Sequence, residues 1–107
     1  MEDFMPGRPV DLDGLVAYAP GAVVSRTLVD KDRGTVTLFA FDAGQGLSEH
    51  SAPYDALVIV LDGRAGVTVG GRPVEAVAGH IVLLPANVPH SVRALERFKM
   101  MLVMIRA

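Results

Sequence analysis

The chain has 107 residues, of which 50% are hydrophobic and 21% charged, and its formal net charge is −2. This composition predicts one folded domain with one core and excludes a disordered chain. The absence of cysteine excludes disulfides, thiolate metal sites and a cysteine nucleophile, and the absence of a basic stripe argues against nucleic acid as a partner.

The beginning of the chain differs in composition from the rest. Residues 1–21 are rich in Pro, Gly and Asp and are predicted to form an N-terminal arm, followed by a domain over residues 22–107. The first residues are acidic and lack the apolar segment of a secretory signal. Because no apolar run approaches the roughly 18 residues that span a bilayer, we expect a cytoplasmic protein that does not bind membranes.

Strand patterns follow one another from residue 22 to the C-terminus. They are short runs rich in β-branched, aromatic or alternating apolar residues, separated by turn residues such as KDRG and the Gly70-Gly71 pair. The runs are AVVSRTLVD, GTVTLFAFD, DALVIVLDG, the hairpin RAGVTVGGRPVEAVAG, HIVLL, HSVRAL and FKMMLVMIRA. No helical period continues for more than two turns, so the sequence predicts eight or nine short strands in an all-β sandwich or barrel.

Two of these runs have apolar residues on both faces of the predicted strand. DALVIVLD and FKMMLVMI are apolar at successive positions, so both faces of each strand need cover. A barrel interior covers one face. A second copy of the chain is the simplest cover for the other, and we expect a homodimer.

Three histidines are the candidates for chemistry. His50 precedes the buried run DALVIVLD, and His90 follows the proline-containing turn PANVP, so each lies beside a turn at the edge of a strand. Imidazoles on adjacent strands can converge inside a barrel on a divalent metal. His80 begins another strand, and a lone histidine is more often a structural or surface residue than a functional one.

The segment around His50 follows a recognisable spacing. Five residues separate Gly44 from His50, and six separate Ala56 from Gly63. This spacing resembles the first motif of the cupins: Gly, five residues, His, one residue, His, three or four residues, Glu, six residues, Gly. In this sequence Ala52 stands at the position of the second histidine and Ala56 at that of the glutamate.

The segment around His90 resembles the second cupin motif. That motif runs Gly, five residues, Pro, one residue, Gly, two residues, His, three residues, Asn, and Gly79, Pro85 and His90 match it. Asn87 replaces the second glycine, a mild change because Asn tolerates left-handed backbone angles. Ala94 replaces the final Asn. The resemblance extends from about Val24 to Arg106 and implies a jelly-roll β-barrel.

The resemblance also implies a metal site with fewer protein ligands than usual. Cupins usually hold their metal with three histidines and one glutamate, of which this chain retains His50 and His90. We therefore expect a weakly held divalent ion of Fe, Mn, Ni or Zn at these two residues. Asp55 lies one position before the glutamate position, and strand alternation points it away from the site unless a bulge intervenes. Tyr54 could line the mouth of a pocket.

The methionines near the C-terminus are the remaining feature. Met100, Met101 and Met104 are expected to pack in the core or in a dimer interface, since methionine fills irregular spaces.

Three functions remain compatible with these residues. The first is a metal-dependent oxygenase, isomerase or decarboxylase acting on a small organic substrate. The second is a module that binds a small molecule without chemistry, favoured by the two alanines that enlarge the cavity and remove its charge. The third is a structural or regulatory dimer. The sequence does not decide whether the protein is an enzyme, because one fold supports many functions.

Overall fold

The structure, a computed structural model, describes residues 4–106 and is almost entirely β. One 3-10 helix precedes nine strands, and this part of the chain has no helix long and apolar enough to cross a membrane. The helix spans Leu12–Leu15, and the strands are β1 Val23–Lys31, β2 Gly34–Phe41, β3 Gly46–His50, β4 Asp55–Asp62, β5 Arg64–Val69, β6 Arg72–Val77, β7 Ile81–Leu84, β8 His90–Ala94 and β9 Phe98–Ile105.

The strands form two antiparallel sheets with the core between them. The five-stranded sheet has the order β1-β2-β9-β4-β7, and the four-stranded sheet the order β3-β8-β5-β6. Buried residues alternate along the strands, as in Ala56, Val58 and Val60 of β4, because successive side chains of a strand point to opposite faces. This arrangement confirms the predicted all-β, jelly-roll type of fold.

The two ends of the sandwich differ in how tightly they are packed. At one end the rings of Phe41 and Phe98 stack with their centroids 4.5 Å apart, and both side chains are fully buried. At the other end, next to Ala56 and Met104, apolar side chains that pack against the core remain partly exposed. They are Leu47, Val69, Val82 and Leu102. We call this second end the open end.

Two turn positions show why the chain needs particular residues there. Gly63, between β4 and β5, has φ 77°, and a side chain at this position would collide with the carbonyl oxygen of Arg97. Asn87 has φ 65°, the left-handed conformation expected for a residue in the place of glycine.

The arm packs against the outer face of the five-stranded sheet. Leu15 and Val16 are 1% exposed and form a second core cluster with Leu38 and Ala40 of β2. The Nζ atom of the buried Lys99 donates to the carboxylate and the backbone carbonyl of Asp13, at 2.9 and 3.0 Å. The arm therefore covers part of the apolar face for which the sequence predicted a second copy. Residues 1–3 of the predicted arm and residue 107 of the predicted domain lie outside the described residues.

Candidate binding site

His50 lies at the end of β3, a strand that is not among the runs predicted from the sequence. β3 pairs with β8, and the register places His50 opposite His90, with a bulge between Leu47 and His50. Gly46 makes this pairing possible, because a side chain there would collide with the carbonyl oxygen of Val92. Leu47 is the one apolar residue of β3, which leaves the sequence with no alternation to reveal the strand.

His90 is positioned by the loop between β7 and β8. The backbone N–H of Asn87 donates to the carbonyl oxygen of Ala52 at 2.7 Å, and the N–H of Gly70 donates to that of Pro89 at 2.8 Å. The first bond joins the loop before His90 to the loop after His50, and the second joins it to the turn between β5 and β6. Both loops lead to the open end, since one enters β4 just before Ala56 and the other leaves β7 beside it.

The structure brings the two histidines together. Their Nε2 atoms are 3.2 Å apart, and the rings meet edge to face with centroids 4.4 Å apart. His90 is 8% exposed, whereas His50 is on the surface. The pair thus extends from the protein surface at His50 to the interior at His90, at the open end.

The backbone fixes which nitrogen of each ring carries the proton. Nδ1 of His50 lies 2.7 Å from the carbonyl oxygen of Ser48, and Nδ1 of His90 lies 3.2 Å from that of Val88. A carbonyl only accepts, so in the neutral form each Nδ1 donates and each Nε2 presents a lone pair. Two neutral rings carry two N–H groups and make three contacts, so the facing Nε2 atoms lack a hydrogen when both Nδ1 atoms donate. A cation, or a donor group that approaches both Nε2 atoms from one side, would then be their partner.

The environment of His90 favours this neutral form. Burial lowers the pKa of His90 below its usual value of 6.5, and the nearby His50 lowers it further, while the hydrogen bond to Val88 opposes the shift. Neutral imidazole is the form that binds metals and accepts hydrogen bonds.

The pair matches part of a metal site. Two nitrogens held tetrahedrally about 2.0–2.1 Å from one ion lie about 3.3–3.4 Å apart, close to the observed 3.2 Å. Within residues 4–106, however, no group of three or more His, Asp or Glu side chains lies together. The residues therefore fit two ligand positions of an ion and not the usual four of a cupin.

The remaining candidates have other roles. Oδ1 of Asp55 accepts a hydrogen bond from the N–H of Ala86 at 2.9 Å, which holds the turn before His90. Nδ1 of His80 accepts from the N–H of Val77 at 3.0 Å in the loop between β6 and β7. The guanidinium of Arg106 lies 5.7 Å from the ring centroid of Tyr54.

Comparisons with known proteins agree with the fold. The model of the cupin domain family matches residues 37–106. A conserved protein of unknown function from Streptococcus pyogenes superposes with a TM-score of 0.93 and 32% identity over 99% of this chain and 93% of its own. A cupin 2 conserved barrel domain protein from Leptotrichia buccalis has a TM-score of 0.87 and 41% identity over 90% of this chain and 47% of its own.

A curated relative gives a shorter match. An uncharacterised protein of Streptomyces coelicolor is 38% identical over 56 residues, so the match spans 52% of this chain and 53% of that protein. The family model, which matches more than half of the chain, establishes that the chain belongs to the cupin domain family.

Proposed function

We propose that the protein binds a small organic molecule at the open end, with the histidine pair as its polar anchor. The observation that carries this proposal is the pair of facing Nε2 lone pairs, 3.2 Å apart, at the edge of an apolar interior. One O–H of a ligand that approaches both atoms from the side would donate a bifurcated hydrogen bond to the two acceptors. Alcohols and phenols are the chemical classes that offer such a donor at neutral pH.

The surroundings of the pair favour an apolar body on this ligand. The partly exposed core side chains at the open end, Leu47, Val69, Val82 and Leu102, are aliphatic. Ala52 and Ala56 stand at positions where the resemblance to other cupins would place a histidine and a glutamate. Their short side chains leave room and carry no charge, and binding pockets for small molecules are commonly apolar with a few polar groups.

The spacing of the two nitrogens supports a second function, that of a metal-dependent enzyme. His50 and His90 would hold a divalent ion such as Fe, Mn, Ni or Zn, and water or substrate oxygens would complete its coordination. Such an ion would supply a Lewis acid that polarises a substrate oxygen. With two protein ligands the ion would be weakly held.

The first test uses single substitutions in a thermal-shift screen of small alcohols and phenols. Wild type should be stabilised by a subset of these compounds, since a ligand that binds the folded state raises Tm. His50→Ala and His90→Ala should lose this stabilisation, and the matched control His80→Ala should keep it. Stabilisation that survives in both pair variants would place the binding site elsewhere.

Elemental analysis of protein purified without added metal distinguishes the two proposed functions, because only the metal-dependent enzyme requires a bound ion.

A gain-of-function variant tests the interpretation of the two alanines. Ala52→His combined with Ala56→Glu restores the residue types at all four ligand positions of the family. This double variant should bind Zn²⁺ or Mn²⁺ far more tightly than wild type, as measured by isothermal titration. Equal affinity would show that other residues already complete the coordination in wild type.

A further inference from the structure

We propose that the open end is also a site for monovalent copper, formed by Nε2 of His50, Nε2 of His90 and the thioether sulfur of Met104. This inference rests on the role proposed above for the histidine pair, and it goes beyond that role by naming a third ligand and the metal. The site would differ in chemistry from one made of histidines and a carboxylate.

The strand register places Met104 beside the position at which the family has a glutamate. Met104 is the direct cross-strand partner of Ala56, the residue at that position. Ala56 is 4% exposed and belongs to the core cluster between the sheets, so this position faces the interior. Directly opposed residues of an antiparallel pair have Cβ atoms about 4.5–5.5 Å apart on the same face. The methyl group of Ala56 leaves that space to its longer neighbour.

Strand alternation separates Met104 from the other methionines of β9. Met100 and Leu102 contribute to the core between the sheets, and Met104 follows them on the same face. Met101 lies on the opposite face, where it packs against the cluster formed by the arm. Met100 is 1% exposed and sealed in the core, whereas Met104 is only partly buried at the open end.

The chain connections bring Met104 and the histidine pair to the same end of the sandwich. β3 ends at His50, and the chain enters β4 at Asp55, next to Ala56. The loop that leads to His90 leaves β7 at Leu84, the other cross-strand partner of Ala56. The hydrogen bond between Asn87 N and Ala52 O joins these two connections.

The chemistry of this donor set favours Cu⁺ over the usual cupin metals. Two neutral imidazoles and a thioether carry no charge, and no group of three or more His, Asp or Glu side chains lies together in the described chain. Hard divalent ions such as Mn²⁺ prefer oxygen ligands, whereas soft thioether sulfur selects Cu⁺. The chain has no cysteine to compete for the ion.

The experiment measures Cu⁺ affinity anaerobically, by competition with a chromophoric Cu⁺ chelator. Wild type should bind one equivalent. Met104→Leu should weaken binding at least tenfold, because it replaces the thioether with a group of similar volume that cannot ligate. The matched control Met101→Leu changes the same residue type on the opposite face and should bind like wild type. Circular dichroism and Tm of the metal-free variants verify that each is folded.

X-ray absorption of the copper-loaded protein provides a direct readout of the sulfur ligand. A copper–sulfur scattering path in wild type and Met101→Leu, absent in Met104→Leu, supports the site. Wild type that binds no Cu⁺, or a Met104→Leu variant with wild-type affinity, overturns it. The proposed function fails separately: it falls if the histidine substitutions leave small-molecule stabilisation intact, whatever the copper result.

Discussion

His50 and His90 are oriented by their own strands. Each ring donates from Nδ1 to the carbonyl oxygen two residues earlier, at Ser48 and Val88. The same local bond at both positions turns the two Nε2 atoms toward each other. The chemistry of the site at residue scale is therefore that of two acceptors held at a fixed separation, with a shared donor or cation as the missing partner.

Stability should depend on pH through His90. Its pKa is lowered in the folded state by burial and by His50, so the unfolded chain binds this proton more readily than the folded one. Stability is then complete above the unfolded value of about 6.5 and is lost as pH falls from there through the lowered pKa. Tm measured from pH 7.5 to 5.5 should decline. The decline should be smaller in His90→Gln and unchanged in His80→Gln; equal slopes in all three proteins would contradict the assignment.

Asp55 should affect stability rather than binding. Its Oδ1 accepts the N–H of Ala86, so Asp55→Ala leaves that donor without its partner and should cost about 1 kcal/mol in urea unfolding. Asp55→Asn retains an acceptor and should cost less. Both variants should bind small molecules and metal at the open end like wild type. A loss of metal binding in Asp55→Asn would instead make Asp55 a ligand.

At the scale of elements, the positions of the arm and of β3 are set by contacts with strands that are far away in the sequence. The arm contributes Leu15 and Val16 to a cluster on the outer face of β2, and Lys99 of β9 holds Asp13. β3 owes its place to β8, against which Gly46 permits close approach. Neither element has a strong local pattern of its own.

The arm should contribute substantially to stability through Leu15. This side chain is 1% exposed, and truncation of a buried leucine to alanine costs about 2–5 kcal/mol. Leu12, in the same 3-10 helix, is 39% exposed and supplies a matched control. In urea denaturation, Leu15→Ala should lower the free energy of unfolding by at least about 2 kcal/mol, and Leu12→Ala by much less. Similar small losses in both would mean that the arm is not part of the cooperative unit.

At the scale of the whole molecule, the outer face of the five-stranded sheet is covered only in part by the arm. On β7 and the end of β9, Ile81, Leu83 and Ile105 are 60%, 55% and 50% exposed. Leu57 and Ile59 of the neighbouring β4 face the same side by strand alternation. These five residues form an aliphatic strip, and an exposed apolar surface of this kind is typical of protein–protein contacts.

We expect two chains to pair through this strip, as sheets do when they pack face to face. Light scattering at micromolar concentration should give about twice the chain mass of 11.3 kDa. Leu83→Lys should yield a monomer, because pairing would bury its charge without a partner. Val74→Lys, at a 42% exposed position on the four-stranded sheet, is the matched control and should remain dimeric. A wild-type monomer at these concentrations would refute the pairing.

The sequence by itself determined the all-β architecture and the family. Alternation within short runs, the turn residues between them and the spacing around His50 and His90 are local properties of the chain, and local patterns are readable without knowledge of the rest. The same spacing singled out the two histidines and the alanines at the lost ligand positions. The apolar excess of β4 and β9 was also visible in the sequence, although the arm as its partial cover was not.

Only the tertiary structure decided how these parts meet. The bulge in β3, the carbonyl partners that set both histidine tautomers, the turn held by Asp55 and the position of Met104 beside Ala56 all depend on which strands become neighbours. Strand pairing is set by contacts between residues far apart in sequence. A short polar segment such as β3 has no periodic pattern from which its partner strand could be predicted. For this reason the sequence identified the anchoring residues, and the fold supplied their geometry.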